Sequence, residues 1–180
     1  MADSNITKRA LANALKELMQ TVPFAKISVA DICEKCDMNR KSFYYHFQDK
    51  YELMNWIFDM EFIEFIKQDD ADQSIEEMTA RFRILYDNRA FYCNALSVHG
   101  QNSLSEHIRE IALPMLQSRL QEALSEEDSG FYVEFFLDAL LGAIVHWIKD
   151  ENCEPPEKFI PHFFSCILST AKYILKKYSD

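Results

Sequence analysis

The apolar positions Ile6, Ala10, Leu11, Ala14, Leu15 and Leu18 recur at helical spacing, with Lys8, Arg9, Asn13, Lys16 and Glu17 between them. One greasy stripe of this kind predicts an α-helix over residues 5–20. Pro23 ends it. Ser28, with Asp31 three residues on, predicts an acidic capping box and a short helix with Val29, Ile32 and Cys33 on one face. Cys36, Asp37 and Met38 then form a turn, and Asn39 caps a third helix. Asp49 and Glu52 open a fourth helix that runs to Lys67. Its stripe of Met54, Phe58, Phe62 and Phe65 is flanked by Leu53, Trp56, Ile57 and Ile63. A helix so apolar has to be covered from several sides.

Five further helices are predicted over 73–88, 89–98, 103–126, 129–150 and 156–178. Ser103 with Glu106 is a capping box, the Pro155-Pro156 pair suits a helix start, and Pro114 should bend the helix that contains it. No strand-like alternation competes, so the expected fold class is all-α with about nine helices. The last two are apolar nearly all round, from Phe131 to Ile148 and from Phe159 to Leu175. One face of each can fill a core, and the excess implies a partner; Ala139 and Gly142 would let helices approach closely. The nearly apolar run over 135–148 is broken by Asp138 and His146. It falls short of the ~20 residues a membrane span requires, so no membrane partner is expected.

Composition refines this picture through charge. The net charge of −10 speaks at first against nucleic acid, since phosphates call for Lys and Arg. Residues 1–50 nevertheless carry a balance of +2, and residues 51–180 one of −12. A basic head on an acidic body confines phosphate binding to one face. Five cysteines, an odd number, and an N-terminus without a basic-then-apolar pattern point to a reducing cytoplasm.

Two short helices across a tight turn describe a helix-turn-helix. The specific signal is the run Ile27-Ser28-Val29-Ala30-Asp31-Ile32, then 36–47 ending Phe43-Tyr44-Tyr45-His46-Phe47, then Asp49-Lys50-Tyr51-Glu52-Leu53. This run resembles the DNA-binding domain of the TetR family of bacterial transcription regulators. The resemblance implies a helix-turn-helix domain over 1–48 and a helical effector-binding and dimerisation domain over 49–180. Asp37 stands where the family pattern has its turn glycine, and Ser42 where Thr is common. A reading helix has long polar side chains at its start, so Asn39, Arg40, Lys41 and Tyr45 are the expected base contacts. Ser28, Ser42, Tyr44, His46 and Lys50 are the expected phosphate contacts. Phe43 and Phe47, at i and i+4, should pack inward.

The resemblance also implies a homodimer through the last two helices and a palindromic operator on double-stranded DNA. Candidate linings of an effector cavity are Phe62, Phe82, Arg83, Tyr86, Tyr92, His99, Met115 and Phe136. A finer likeness, carried by residues 42–47, Asn55-Trp56-Ile57-Phe58, Phe91-Tyr92 and Gly142-Ala143-Ile144 before Trp147-Ile148, points to the subgroup that includes the activator of the dihydroxyacetone kinase operon. There a separate partner protein senses the small molecule. Direct sensing of an effector and docking of a sensor protein therefore both stand.

Cys33-x-x-Cys36 admits a third reading, as a thiol or metal sensor, but no second ligand pair follows at zinc spacing. The acid run Asp69, Asp70 and Asp72 reads as a solvated loop. No Ser-His-Asp set, phosphate-cradling glycine loop or catalytic carboxylate pair is legible, so neither an enzyme, a cofactor nor a metal site is expected.

Overall fold

The computed structural model describes residues 2–63, 74–121 and 126–178. Nine α-helices are present among the described residues: α1 (Ala2–Leu18), α2 (Val29–Lys35), α3 (Arg40–His46), α4 (Lys50–Phe58), α5 (Ile75–Asp87), α6 (Arg89–Ala95), α7 (Leu104–Gln121), α8 (Glu126–Lys149) and α9 (Pro156–Tyr178). There is no strand among them. A 3-10 turn at Phe24–Lys26 precedes α2, and α4 passes directly into a π-helical turn at Asp59–Ile63. Phe65, Lys67, the acid run at 69–72 and Gln73 lie outside the described residues.

The caps explain most boundaries. Ser28 and Asp31 form a reciprocal box: Ser28 Oγ accepts from the Asp31 amide, and the Asp31 carboxylate accepts from the Ser28 amide at 2.8 Å. Bonding from the Ser28 amide and hydroxyl holds the Asp31 carboxyl below its usual range. Asp49 accepts from the amides of Tyr51 and Glu52 at the start of α4. Ser74 and Glu77 form a second full box before α5, a Ser-x-x-Glu signal that apolar periodicity alone does not reveal. Ser103 accepts from the Glu106 amide before α7. Pro114 lies inside α7, as expected, and Pro161 lies inside α9, where it removes a bond to Glu157.

The chain divides into two packed units that do not follow the 48/49 boundary. The first is 1–70 with 88–106, and the second is 71–87 with 107–180. In the first, Leu11, Leu15, Ile32, Phe43, Leu53, Met54 and Phe91 are fully buried, so α4 and α6 share a core with α1, α2 and α3. Burying one such side chain is worth about 1.5–3 kcal/mol, which is how three helices of seven residues each become stable.

Asn94 of α6 fastens the same unit. Its Oδ1 accepts from the Phe24 amide at 2.9 Å, and its Nδ2 donates to the carbonyls of Met19 and Val22 at 3.1 and 2.8 Å. Lys16 pairs with Glu61, whose other oxygen accepts from the buried Tyr92 hydroxyl at 2.7 Å. Burial, then the Glu61 carboxylate, push that hydroxyl well above the usual tyrosine value.

In the second unit, Trp147 and Phe159 stack at 4.6 Å and Phe82 packs against both, joining α5, α8 and α9. Arg83 pairs with Glu157, and Arg109 pairs with Glu134 and Asp138. The apolar stretch of α8 is longer than the run over 135–148 suggests. Gly130–Lys149 has a mean hydropathy of 1.6, long and apolar enough by length and composition to cross a membrane. Its acids Glu134 and Asp138 are both held by Arg109 of α7, and its Trp147 is buried on α9.

Candidate nucleic-acid interface

The site is built on the turn between α2 and α3. The Met38 amide donates to the Cys33 carbonyl at 2.9 Å, which closes α2 with a Schellman-type cap, and Asp37 takes the left-handed conformation at φ 54°. Glycine is usual there, and Asp bears it better than most residues do. Asn39 next caps α3, its Oδ1 accepting from the Ser42 amide at 2.9 Å. Phe43 and Phe47 are buried, as their spacing requires, and turn the opposite face of α3 to solvent.

Lys41 and Tyr45 stand on that face and Arg40 and Tyr44 on its flank; Arg40 and Lys41 are exposed, and Tyr44 and Tyr45 are 51% and 82% exposed. The Arg40 guanidinium donates to the Tyr44 hydroxyl at 3.4 Å and lies over its ring, which aligns it along the helix. Tyr45 and His46 meet edge to face. Asn39, Lys41, Ser42, Tyr45 and His46 line one open concavity with Thr7 of α1. Of the expected base-contact residues, Asn39, Lys41 and Tyr45 share this concavity, and Arg40 is exposed outside its lining.

The expected phosphate set is less uniform. Lys50 is engaged elsewhere. Its ammonium donates to the carbonyls of Ile27, Phe24 and Ala25 at 2.6, 2.8 and 3.4 Å and sits 4.5 Å from the Phe24 ring. All three of its donors are taken up, so it ties α4 to the turn before α2 and leaves none for DNA. Burial lowers its pKa. The Ser28 hydroxyl donates to Asp31 and the Ser42 hydroxyl to Asn39, so either must turn its proton from that oxygen to donate to a phosphate, while the caps themselves stay. Tyr44 accepts from Arg40, which leaves its own proton for an anion.

The expected effector linings are split between the units. Tyr92 is buried on Glu61, Phe62 stacks on Phe58, and His99 is exposed, all in the first unit. In the second, Phe82, Arg83 and Tyr86 gather about Trp147 and Glu157, whereas Phe136 packs with Ile174 and Met115 is 44% exposed. His99 faces solvent from the connection between α6 and α7, and Met115 from an outward position of α7. Trp147 and Glu61 organise these clusters but were not among the expected linings; Glu61 stands in no motif.

Cys33 is buried, and Cys36 donates to the Ile32 carbonyl at 3.3 Å. Burial pushes both thiols up, away from the thiolate that metal or oxidant would attack. Among the described residues no group of three His, Cys, Asp or Glu is placed to hold a metal ion. In a timed reaction of the native protein with a thiol reagent, buried Cys33 should react only on unfolding; fast modification of Cys33 would revive the sensor reading.

Residues 11–56 match the family model of bacterial regulatory proteins of the tetR family, and residues 69–169 match that of a transcriptional regulator C-terminal region. This chain belongs to the TetR family. Over 94 residues the TetR-family chain is 38% identical to the HTH-type dhaKLM operon transcriptional activator DhaS of Lactococcus lactis subsp. lactis (strain IL1403). That match spans 51% of this chain and 50% of the relative, about half the length of each. Among solved structures, the dihydroxyacetone kinase operon activator DhaS is similar with a TM-score of 0.64 at 22% identity, covering 93% of this chain and 97% of that one. A TetR transcriptional regulator from Streptococcus agalactiae 2603V is similar with a TM-score of 0.67 at 19% identity, covering 92% and 96%. At these identities the structural likeness shows the fold alone.

Proposed function

We propose that this TetR-family regulator binds a palindromic operator as a homodimer in the cytoplasm, is not an enzyme, and responds to an effector through its C-terminal domain. The observation that carries the DNA reading is α3 itself: Phe43 and Phe47 anchor one face, Lys41 and Tyr45 stand out from the other, and Arg40 is exposed at the helix start. Arg40 is the natural reader of a guanine, because its fork matches two acceptors in the major groove. Titrating a fluorescent fragment of the gene's own promoter tests this. Arg40→Ala should weaken specific binding about 5- to 150-fold. Equal loss on random DNA would assign Arg40 to phosphates instead. No specific binding at moderate salt, with or without cell extract, sinks the reading.

A second copy is the occupant that suits the apolar surface of α8 and α9. Phe131, Phe135, Leu168 and Tyr173 are exposed there, and Phe135, Ala139, Ala143, Phe163 and Ile167 line an open groove between the two helices. Monomers rarely leave so much contiguous apolar surface uncovered.

The DhaS likeness favours a second reading, in which the regulator activates its operon; in that reading the C-terminal domain docks a separate sensor protein, as the subgroup resemblance implies. Purification from lysate separates the two. A stoichiometric protein partner supports docking, and a co-purified small molecule supports direct sensing.

A further inference from the structure

A cleft of about 210 Å³ lies between α1 and the far end of α4, wholly within the first unit. Trp56 and Met60 give it an apolar wall, while Arg9, Asn13, Lys16 and Glu61 give it a polar rim. The charges at the rim are not equivalent. Glu61 has both oxygens occupied, one by Lys16 and one by the Tyr92 hydroxyl, so Lys16 and Glu61 cancel. Among the described residues, Arg9 and Asn13 make no side-chain hydrogen bond or ion pair. They stand one helical turn apart, so guanidinium and amide project side by side along one face of α1. The cleft therefore offers one uncompensated positive charge and a row of donors above an aromatic wall.

The wall is rigid. Phe47 meets the Trp56 ring edge to face at 5.7 Å, and the Lys8 ammonium lies 5.6 Å from the ring centre. Met60 and Glu61 belong to the π-helical turn at Asp59–Ile63, an irregularity that is rare in helices and concentrated at functional sites. The space equals that of about seven waters, below the range of drug-sized pockets and suited to a single ring bearing one short acid arm.

We propose that this cleft binds a small aromatic carboxylate, its ring against Trp56 and its carboxylate on Arg9 and Asn13. Such a ligand would bridge α1 and the end of α4, the two helices that flank the reading pair. The inference goes beyond operator recognition and is tested without DNA, so failure of either leaves the other standing.

The test is calorimetric titration of the full-length protein with phenylacetate, alongside the NMR signal of the Trp56 indole N–H, assigned with Trp56→Phe. Saturable binding of one phenylacetate per chain is expected at millimolar concentration or below, as befits a ligand of about ten atoms. The Trp56 signal should shift with the same midpoint. Neutral phenylacetamide and the Arg9→Gln variant should each weaken binding at least roughly tenfold, with Arg9→Lys recovering part of the loss. Absence of saturation by roughly 10 mM overturns the proposal. So does binding that ignores Arg9→Gln, or that shifts the Trp147 indole in place of Trp56.

Discussion

Replacing Phe43 by Ala is expected to destabilise the first unit by about 3–5 kcal/mol, the usual cost of truncating a buried aromatic ring. Phe43 is 0% exposed and meets Phe47 at 5.9 Å and Tyr44 at 5.5 Å. It is the chief anchor of a helix of seven residues, too short to persist in water unless docked. The loss is comparable to the whole stability of many small domains, about 5–15 kcal/mol. Specific operator binding should vanish with the helix. Circular dichroism and amide exchange would show α1 to α3 exchanging freely while α8 and α9 stay helical. Retained α3 protection would mean that Phe47 alone suffices to dock the helix.

Asn94→Ala should cost about 2–4 kcal/mol although it removes only one short side chain. The Phe24 amide and the carbonyls of Met19 and Val22 all lose their partner. Each half-buried backbone group left unpaired costs about 1–3 kcal/mol, reduced where water enters. Asn94→Asp should be no better than Ala. It keeps an acceptor for Phe24 but turns an anionic oxygen toward two carbonyls. Urea unfolding of the three proteins and exchange of the Phe24 amide provide the measurement. An Asp variant as stable as the parent would show that the two carbonyls find water.

These two residues mark what the sequence did and did not disclose. Phe43, the Ser28 and Asn39 caps and the left-handed Asp37 were legible because periodicity, capping and turn chemistry act over three to five residues. Asn94 was not, since its partners lie 70 or more residues away and nothing local distinguishes it. Lys50 misled for a related reason. A lysine beside a reading helix looks like a phosphate clamp until three carbonyls are found converging on it. The π turn at Asp59–Ile63 carries no Gly or Pro and follows helix-forming residues, so its sequence reads as plain helix. The division of the effector set between the two units was not legible either, because shared apolarity says nothing about which unit a side chain joins.

The first unit is assembled from two separated stretches, with 88–106 returning to complete what 1–70 begins. Translation delivers those stretches in order, at about 5–20 residues per second, so Asn94 follows Phe24, 70 positions earlier, by roughly 4–14 s. During that interval α1 to α3 have emerged without the residues that seal them. Folding of the reading head is thereby made contingent on synthesis of the acidic body, and a nascent chain halted before residue 88 should remain a client of chaperones and proteases, unable to occupy an operator.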